Sequence, residues 1–184
     1  MRVTLNRAAH DSASVTGAAQ LPYPKPFPPE ARPEVVWPHI VNGGEADWVP
    51  QSDRVDFRPL CFGVTQGYFV NLLRVRKSGM LSRHYHACPV HAYVLKGRWF
   101  YLEHDWVAEE GTYVMEPPGE THTLIVPEEV SEMITLFHVT GSYVYVDPNG
   151  KPEGIEDVFT KLANAKRHYE RVGLGSDYAE RFIR

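Results

Sequence analysis

Cysteine is scarce: Cys61 and Cys88 are the only two in 184 residues. That is too few for a disulfide framework and agrees with a reducing compartment. Basic runs are missing as well. Lys plus Arg number 19 against 23 Asp plus Glu, for a formal charge of −4, and no stretch can track a phosphate backbone, so nucleic acid is not expected as a partner. No apolar stretch approaches the roughly 20 residues needed to span a bilayer, and the opening MRVTLNRAAHDSASVTGAAQ lacks the apolar centre of a secretory signal. A cytoplasmic protein without membrane contact is expected. The most informative absence is local: RHYHACPVHAYVLKG, residues 83 to 97, holds three histidines within eight residues and no carboxylate.

Other residue types are concentrated. Seven of the fifteen prolines lie between Pro22 and Pro38, where fixed φ angles and missing amide donors favour an extended arm. Residues 1–34 are therefore read as a Pro-rich leader arm, draped on the surface or embracing a neighbouring subunit. Residues 35–150 carry short runs rich in Val, Tyr, Phe, Trp and Thr, among them VDFRPLCF, GYFVNLLRVR, VHAYVLKG, RWFYLEHDW, HTLIVP and EMITLFHVTG. Most end at Gly, Pro, Asp or Asn, which predicts an all-β antiparallel sandwich or barrel. In residues 151–184 the period lengthens. Ile155, Val158, Phe159, Leu162, Ala165, Tyr169 and Val172 recur at helical spacing, predicting an α-helix packed on the barrel or on a second subunit. SDYAERFIR adds another turn or two, with Ser176 as its cap.

His84 and His86 flank one residue, so on a strand both imidazoles leave the same face and can reach one ion. A hydrogen-bonded pair would look the same. The second element is GTYVMEPPGETHTLIV, in which Gly111, Pro117 and Gly119 precede His122 at intervals of five, one and two residues. A Pro-x-Gly turn of this kind delivers a histidine onto a new strand at a defined angle.

These spacings resemble the paired motifs of the cupin superfamily. The second motif, G(x)5PxG(x)2H(x)3N, is matched except at its last position, where Val126 stands. The first, G(x)5HxH(x)3,4E(x)6G, is matched by His84, His86 and Gly97, with Gly79 one residue closer than usual and Val90 in the place of the glutamate. The resemblance implies a cupin β-barrel, the double-stranded β-helix or jelly roll, with a metal on His84, His86 and His122. Three neutral imidazoles leave three positions of an octahedral ion for substrate and dioxygen, which suits iron(II). His91 alternates away from the Val90 face and is not expected to be a ligand.

LKGRWFYLEHDW, EPPGETHTL and FHVTG further resemble the branch that contains the anti-sigma-factor-type cupin domains and the 2,4'-dihydroxyacetophenone dioxygenases. The valine at position 90 and the chain length fit the dioxygenases. That resemblance implies Fe(2+), a small aromatic α-hydroxyketone and O2 as reactants, 4-hydroxybenzoate and formate as products, and a homodimer or homotetramer. A β-diketone-cleaving cupin dioxygenase, a zinc-holding cupin sensor and an oxygen-independent isomerase or storage barrel are the alternatives. Glu116, beside the Pro-x-Gly turn, is a candidate to orient a ligand histidine or to take the substrate proton. Arg98 is a candidate to pair with it across the pocket mouth. A surface carboxylate and a rim arginine are the competing roles for the two. Glu103 is a third candidate. Val90, Val94, Phe100 and Leu124 are the expected apolar walls, while Tyr93, Trp99 and Tyr101 are read as packing or interface aromatics.

Overall fold

The structure, a computed structural model, describes Pro28 and residues 30–184. The chain divides into two compact units, residues 1–33 and 34–184. Of the first, only a turn is described, in which the Ala31 N–H donates to the Pro28 carbonyl. The expected leader arm otherwise lies outside the described residues.

The second unit is all-β with a C-terminal helix. Its strands, numbered in chain order, form two six-stranded sheets. One sheet runs β1 (Val49–Pro50), β2 (Val55–Gly63), β3 (Tyr68–Val75), β10 (Met133–Thr140), β5 (Val90–Lys96), β8 (Tyr113–Glu116). The other runs β12 (Pro152–Glu156), β11 (Tyr143–Val146), β4 (Gly79–His86), β9 (Thr121–Val126), β6 (Arg98–Tyr101), β7 (Ala108–Glu109). All strand pairs within the sheets are antiparallel. This is the jelly-roll arrangement of a cupin.

Alternation sets which side chains face inward. On β5, Val90, Ala92 and Val94 are buried while Tyr93 is exposed, as period-2 geometry requires. The chain passes from β5 in one sheet to β6 in the other through Gly97 alone. Its φ is +72°, and a Cβ there would lie 2.6 Å from the Glu132 carbonyl oxygen, so only glycine fits this corner. After it, Trp99 and Tyr101 point into the core and Arg98 points out.

The C-terminal region departs from its sequence reading in three respects. Residues 152–156 form β12, hydrogen-bonded to β11 across a turn in which the Asp147 N–H donates to the Lys151 carbonyl. An edge strand with four exposed residues and a leading proline carries little hydrophobic signal. Second, the helix α1 is shorter, Val158–Arg171, started by Asp157, which accepts from the Thr160 N–H in a capping box. Its buried face is Val158, Lys161, Ala165, His168 and Tyr169; Phe159, Val172 and, on β12, Ile155 are exposed. The apolar stripe is rotated because Lys161 and His168 find buried partners. Third, a 3-10 helix spans Ser176–Phe182 with Gly175, not Ser176, at its cap position. Beyond it the Arg184 N–H donates to the Phe62 carbonyl, pinning the chain end to β2. Tyr169, Tyr178, Phe182 and Trp37 pack together beneath. Among the described residues no helix is long and apolar enough to cross a membrane.

Candidate metal centre

β4 presents His84 and His86 on one face, and β9 lies antiparallel to it with His122 directly opposite His84. The turn before His122 is held in place: Gly119 has φ +97° and its N–H donates to the His86 carbonyl at 2.9 Å. The turn that positions the third histidine is therefore tied to the strand that carries the second.

The carboxylate comes from the other sheet. On the β5–β8 ladder the cross-strand partner of Val90 is Glu116. Paired residues on adjacent strands face the same side, so an acid at position 116 can serve the space that an acid at position 90 would have served. Glu116 is 5% exposed, and its Oε2 lies 3.0 Å from His86 Nε2 and 3.7 Å from His122 Nε2. His122 Nε2 in turn lies 3.3 Å from His84 Nε2. Adjacent ligands on an ion bonded at about 2.1 Å sit about 3 Å apart at right angles. The donor chemistry fits one divalent metal on His86, Glu116 and His122, whose ligand atoms lie within 4.8 Å of one another, and His84 stands beside that group through His122. Glu116, expected next to the site, is one of these three candidate donors. A set of four would leave two positions of an octahedral ion, rather than the three expected from histidines alone.

Surrounding contacts prepare the ligands. His86 Nδ1 donates to the Cys88 carbonyl at 2.7 Å, which aims Nε2 at the centre. Ser82 Oγ lies 3.1 Å from His84 Nδ1. His122 Nδ1 is buried without a hydrogen-bond partner, and the nearest carboxylate, Glu120 Oε2, is 3.8 Å away. Burial, reinforced by the other two histidines, pushes His84 down to about 3. Burial likewise lowers His122. In His86, burial is outweighed by the Glu116 carboxylate and the Cys88 carbonyl, so its pKa is raised.

Tyr101 is the neighbour that the sequence reading passed over. Its ring stacks on His122 with centroids 3.8 Å apart and planes within 5°, and its hydroxyl donates to Glu116 Oε1 at 2.9 Å. Burial, then the Glu116 charge, pushes that hydroxyl well above its ordinary value, so it stays a donor. The register after Gly97 could not be read from the sequence, and it is Trp99 and Tyr101 that face inward. Phe100 lies on the opposite face of β6 and does not line the cavity.

The other candidates fall in different places. Arg98 pairs with Glu129 on the exterior, not with Glu116, because it precedes the inward-facing Trp99. Glu103 sits in the turn after β6, where its carboxylate accepts from the Thr123 N–H and hydroxyl at 2.7 and 2.8 Å. It secures β9 one residue from His122. Val94 is sealed in the core, whereas Val90 and Leu124 line the cavity. His91 faces outward and bonds to the Tyr113 hydroxyl, and His104 bonds to Glu120.

A cavity of about 540 Å³ adjoins the donors. Phe69, Val90, Leu124, Phe137 and Val139 form its apolar wall; Gln51, Asn71, Tyr143, Tyr145, Glu156 and Lys161 form a polar wall that the sequence reading did not foresee.

Two facing antiparallel sheets with histidines and a carboxylate converging between them form a cupin barrel with a candidate metal centre. The chain belongs to the ChrR cupin-like domain family, whose model matches residues 38–144. No curated protein matches it. Among solved structures it is similar to an RmlC-like cupin protein from Ralstonia eutropha JMP134, at 27% identity over 69% of this chain and 83% of that one, with a TM-score of 0.66. A second cupin-like protein of unknown function from the same organism aligns at 23% identity over 68% and 78%, TM-score 0.65. An acetylacetone dioxygenase from Acinetobacter johnsonii shares the fold at 15% identity, covering 75% of this chain and 97% of that one, TM-score 0.61.

Proposed function

We propose that the protein is a non-haem iron(II) dioxygenase that cleaves an aromatic α-hydroxyketone, 2,4'-dihydroxyacetophenone, between its carbonyl and hydroxymethyl carbons. With O2 this gives 4-hydroxybenzoate and formate, and the ring stays intact. The observation that carries the reading is the cavity, which sets His84, His86 and Glu116 against an apolar wall broad enough for an aryl ring.

His84, His86, His122 and Glu116 would hold the iron. When bound, iron(II) supplies Lewis acidity toward the ketone and hydroxyl oxygens and electrons for dioxygen. Glu116 Oε2 takes the proton of the substrate hydroxyl, while the Tyr101 hydroxyl keeps Oε1 fixed and the carboxylate aimed. Glu116 would thus serve both as a donor to the metal and as the acceptor of the substrate proton. Val90, Leu124, Phe137 and Val139 hold the ring and keep water from the reacting carbon.

One observation favours a second reading, a zinc-holding sensor. Four converging protein donors are also the composition of a structural zinc site. Oxygen uptake by iron-reconstituted protein separates the two. On 2,4'-dihydroxyacetophenone with isotopic dioxygen, each product should carry one labelled oxygen atom. Uptake with acetylacetone and none with any α-hydroxyketone would replace the substrate class. Stoichiometric zinc after expression without added zinc, together with no uptake, would favour the sensor.

A further inference from the structure

The polar wall of the cavity is a closed ring of hydrogen bonds. Lys161 Nζ donates to Gln51 Oε1 and lies 2.7 Å from Glu156 Oε2. Gln51 Nε2 donates to the Tyr145 hydroxyl at 2.7 Å, Tyr145 to the Tyr143 hydroxyl at 3.4 Å, and Tyr143 to Glu156 Oε2 at 3.5 Å. The lysine is 1% exposed and also lies 4.3 Å from the centre of the Phe57 ring. All five polar residues line the cavity.

Three properties say what this wall can bind. Its charges cancel, Lys161 against Glu156, so a ligand carboxylate entering here would lose hydration without gaining an unpaired cation. Its two tyrosine links are long: hydroxyl hydrogen bonds cluster near 2.7 to 2.8 Å, so contacts of 3.4 and 3.5 Å have room to exchange for a better partner. Third, Asn71 Oδ1 on β3 is buried without a hydrogen-bond partner and lines the same cavity. An orphaned acceptor calls for a donor. A neutral hydroxyl meets all three conditions, giving a proton to Asn71 or Glu156 and accepting one from a tyrosine. The wall also stands beside the metal donors. Tyr145 and Tyr143 are the β11 partners of His84 and His86, and the Tyr143 and His84 ring centres are 5.1 Å apart.

We propose that Gln51, Tyr143, Tyr145, Glu156 and Lys161, with Asn71, form a second subsite, flanking the metal donors, that selects ligands carrying a neutral phenolic or alcoholic hydroxyl. The inference rests on the dioxygenase reading for the identity of the substrate, but its selectivity is a binding property that needs no turnover.

The test uses zinc-loaded full-length protein, titrated calorimetrically with 4-hydroxyacetophenone and with 4-methylacetophenone, which differ by a hydroxyl for a methyl. The hydroxylated probe should bind about tenfold more tightly, the worth of one or two neutral hydrogen bonds. Tyr145→Phe and Asn71→Leu should each shrink that ratio while leaving the affinity for the methyl probe unchanged. Equal binding of the two probes, binding of neither, a ratio that survives both substitutions, or an equal weakening of both probes would each overturn the subsite. The expected ratios in a protein that takes up no oxygen would leave the subsite standing and remove the dioxygenase reading. Labelled products from a protein that shows no preference would do the reverse.

Discussion

The metal donors and the polar wall that flanks them are built by different means. The donors come from neighbouring positions on regular ladders: His84 opposite His122 on β4 and β9, and Glu116 on β8 opposite Val90 on β5. In the polar wall, Gln51 follows β1, the tyrosines come from β11, and Glu156 and Lys161 come from β12 and α1, so that Gln51 and Lys161 meet across 110 residues of chain. Strand geometry alone almost assembles the first. The second exists only when the C-terminal helix is docked.

That difference sets the size and kind of effect to expect. His122→Ala should abolish metal binding, measured as metal per chain after dialysis, whereas Tyr145→Phe should leave the metal content unchanged. Lys161→Met should act on folding instead. It leaves Glu156 buried and unpaired and should cost about 3 to 5 kcal/mol in denaturant unfolding, with the double change Lys161→Met, Glu156→Gln recovering a large part of it. A loss under about 1 kcal/mol would mean that the ring does not bind the helix to the barrel.

The smallest effect is in pH. His86 has its pKa raised above 6.5, chiefly by the Glu116 carboxylate acting against burial. The stabilisation this gives the metal-free fold is complete below the unfolded value of about 6.5 and is lost as pH rises through the folded value. A metal must displace that same proton, so its affinity rises over the same window. Thermal melts with and without zinc, from about pH 5.5 to 8.5, should show the metal-induced increase in Tm widening with pH. A constant increment would place the displaced proton elsewhere.

The donors and the polar wall also differ in how far the sequence exposes them. The jelly roll and its histidines were legible because a two-residue spacing, a Pro-x-Gly turn and the corner glycine at 97 are local signals. Tyr101 was not, because the single-residue corner at Gly97 hides the parity of β6; Phe100 was expected inward and Arg98 toward Glu116 for the same reason. The partnership of Val90 with Glu116 required the β5–β8 register, which is set by packing between segments 26 residues apart in number, 90 and 116. Lys161 and Gln51 carried no local signal at all. A lysine on a helix is read as solvent-facing unless something distant neutralises it, and here that partner, Glu156, lies on a strand whose sequence reads as a turn and the start of a helix.

The zinc affinity of a reciprocal pair of variants measures most directly the role of Glu116 as the acid absent at position 90. Glu116→Val should lower affinity by about 10- to 100-fold or more, and adding Val90→Glu to that variant should recover at least about tenfold of the loss, since the two positions face the same donors across one ladder. Unchanged affinity in Glu116→Val, or no recovery in the double variant, would contradict that role.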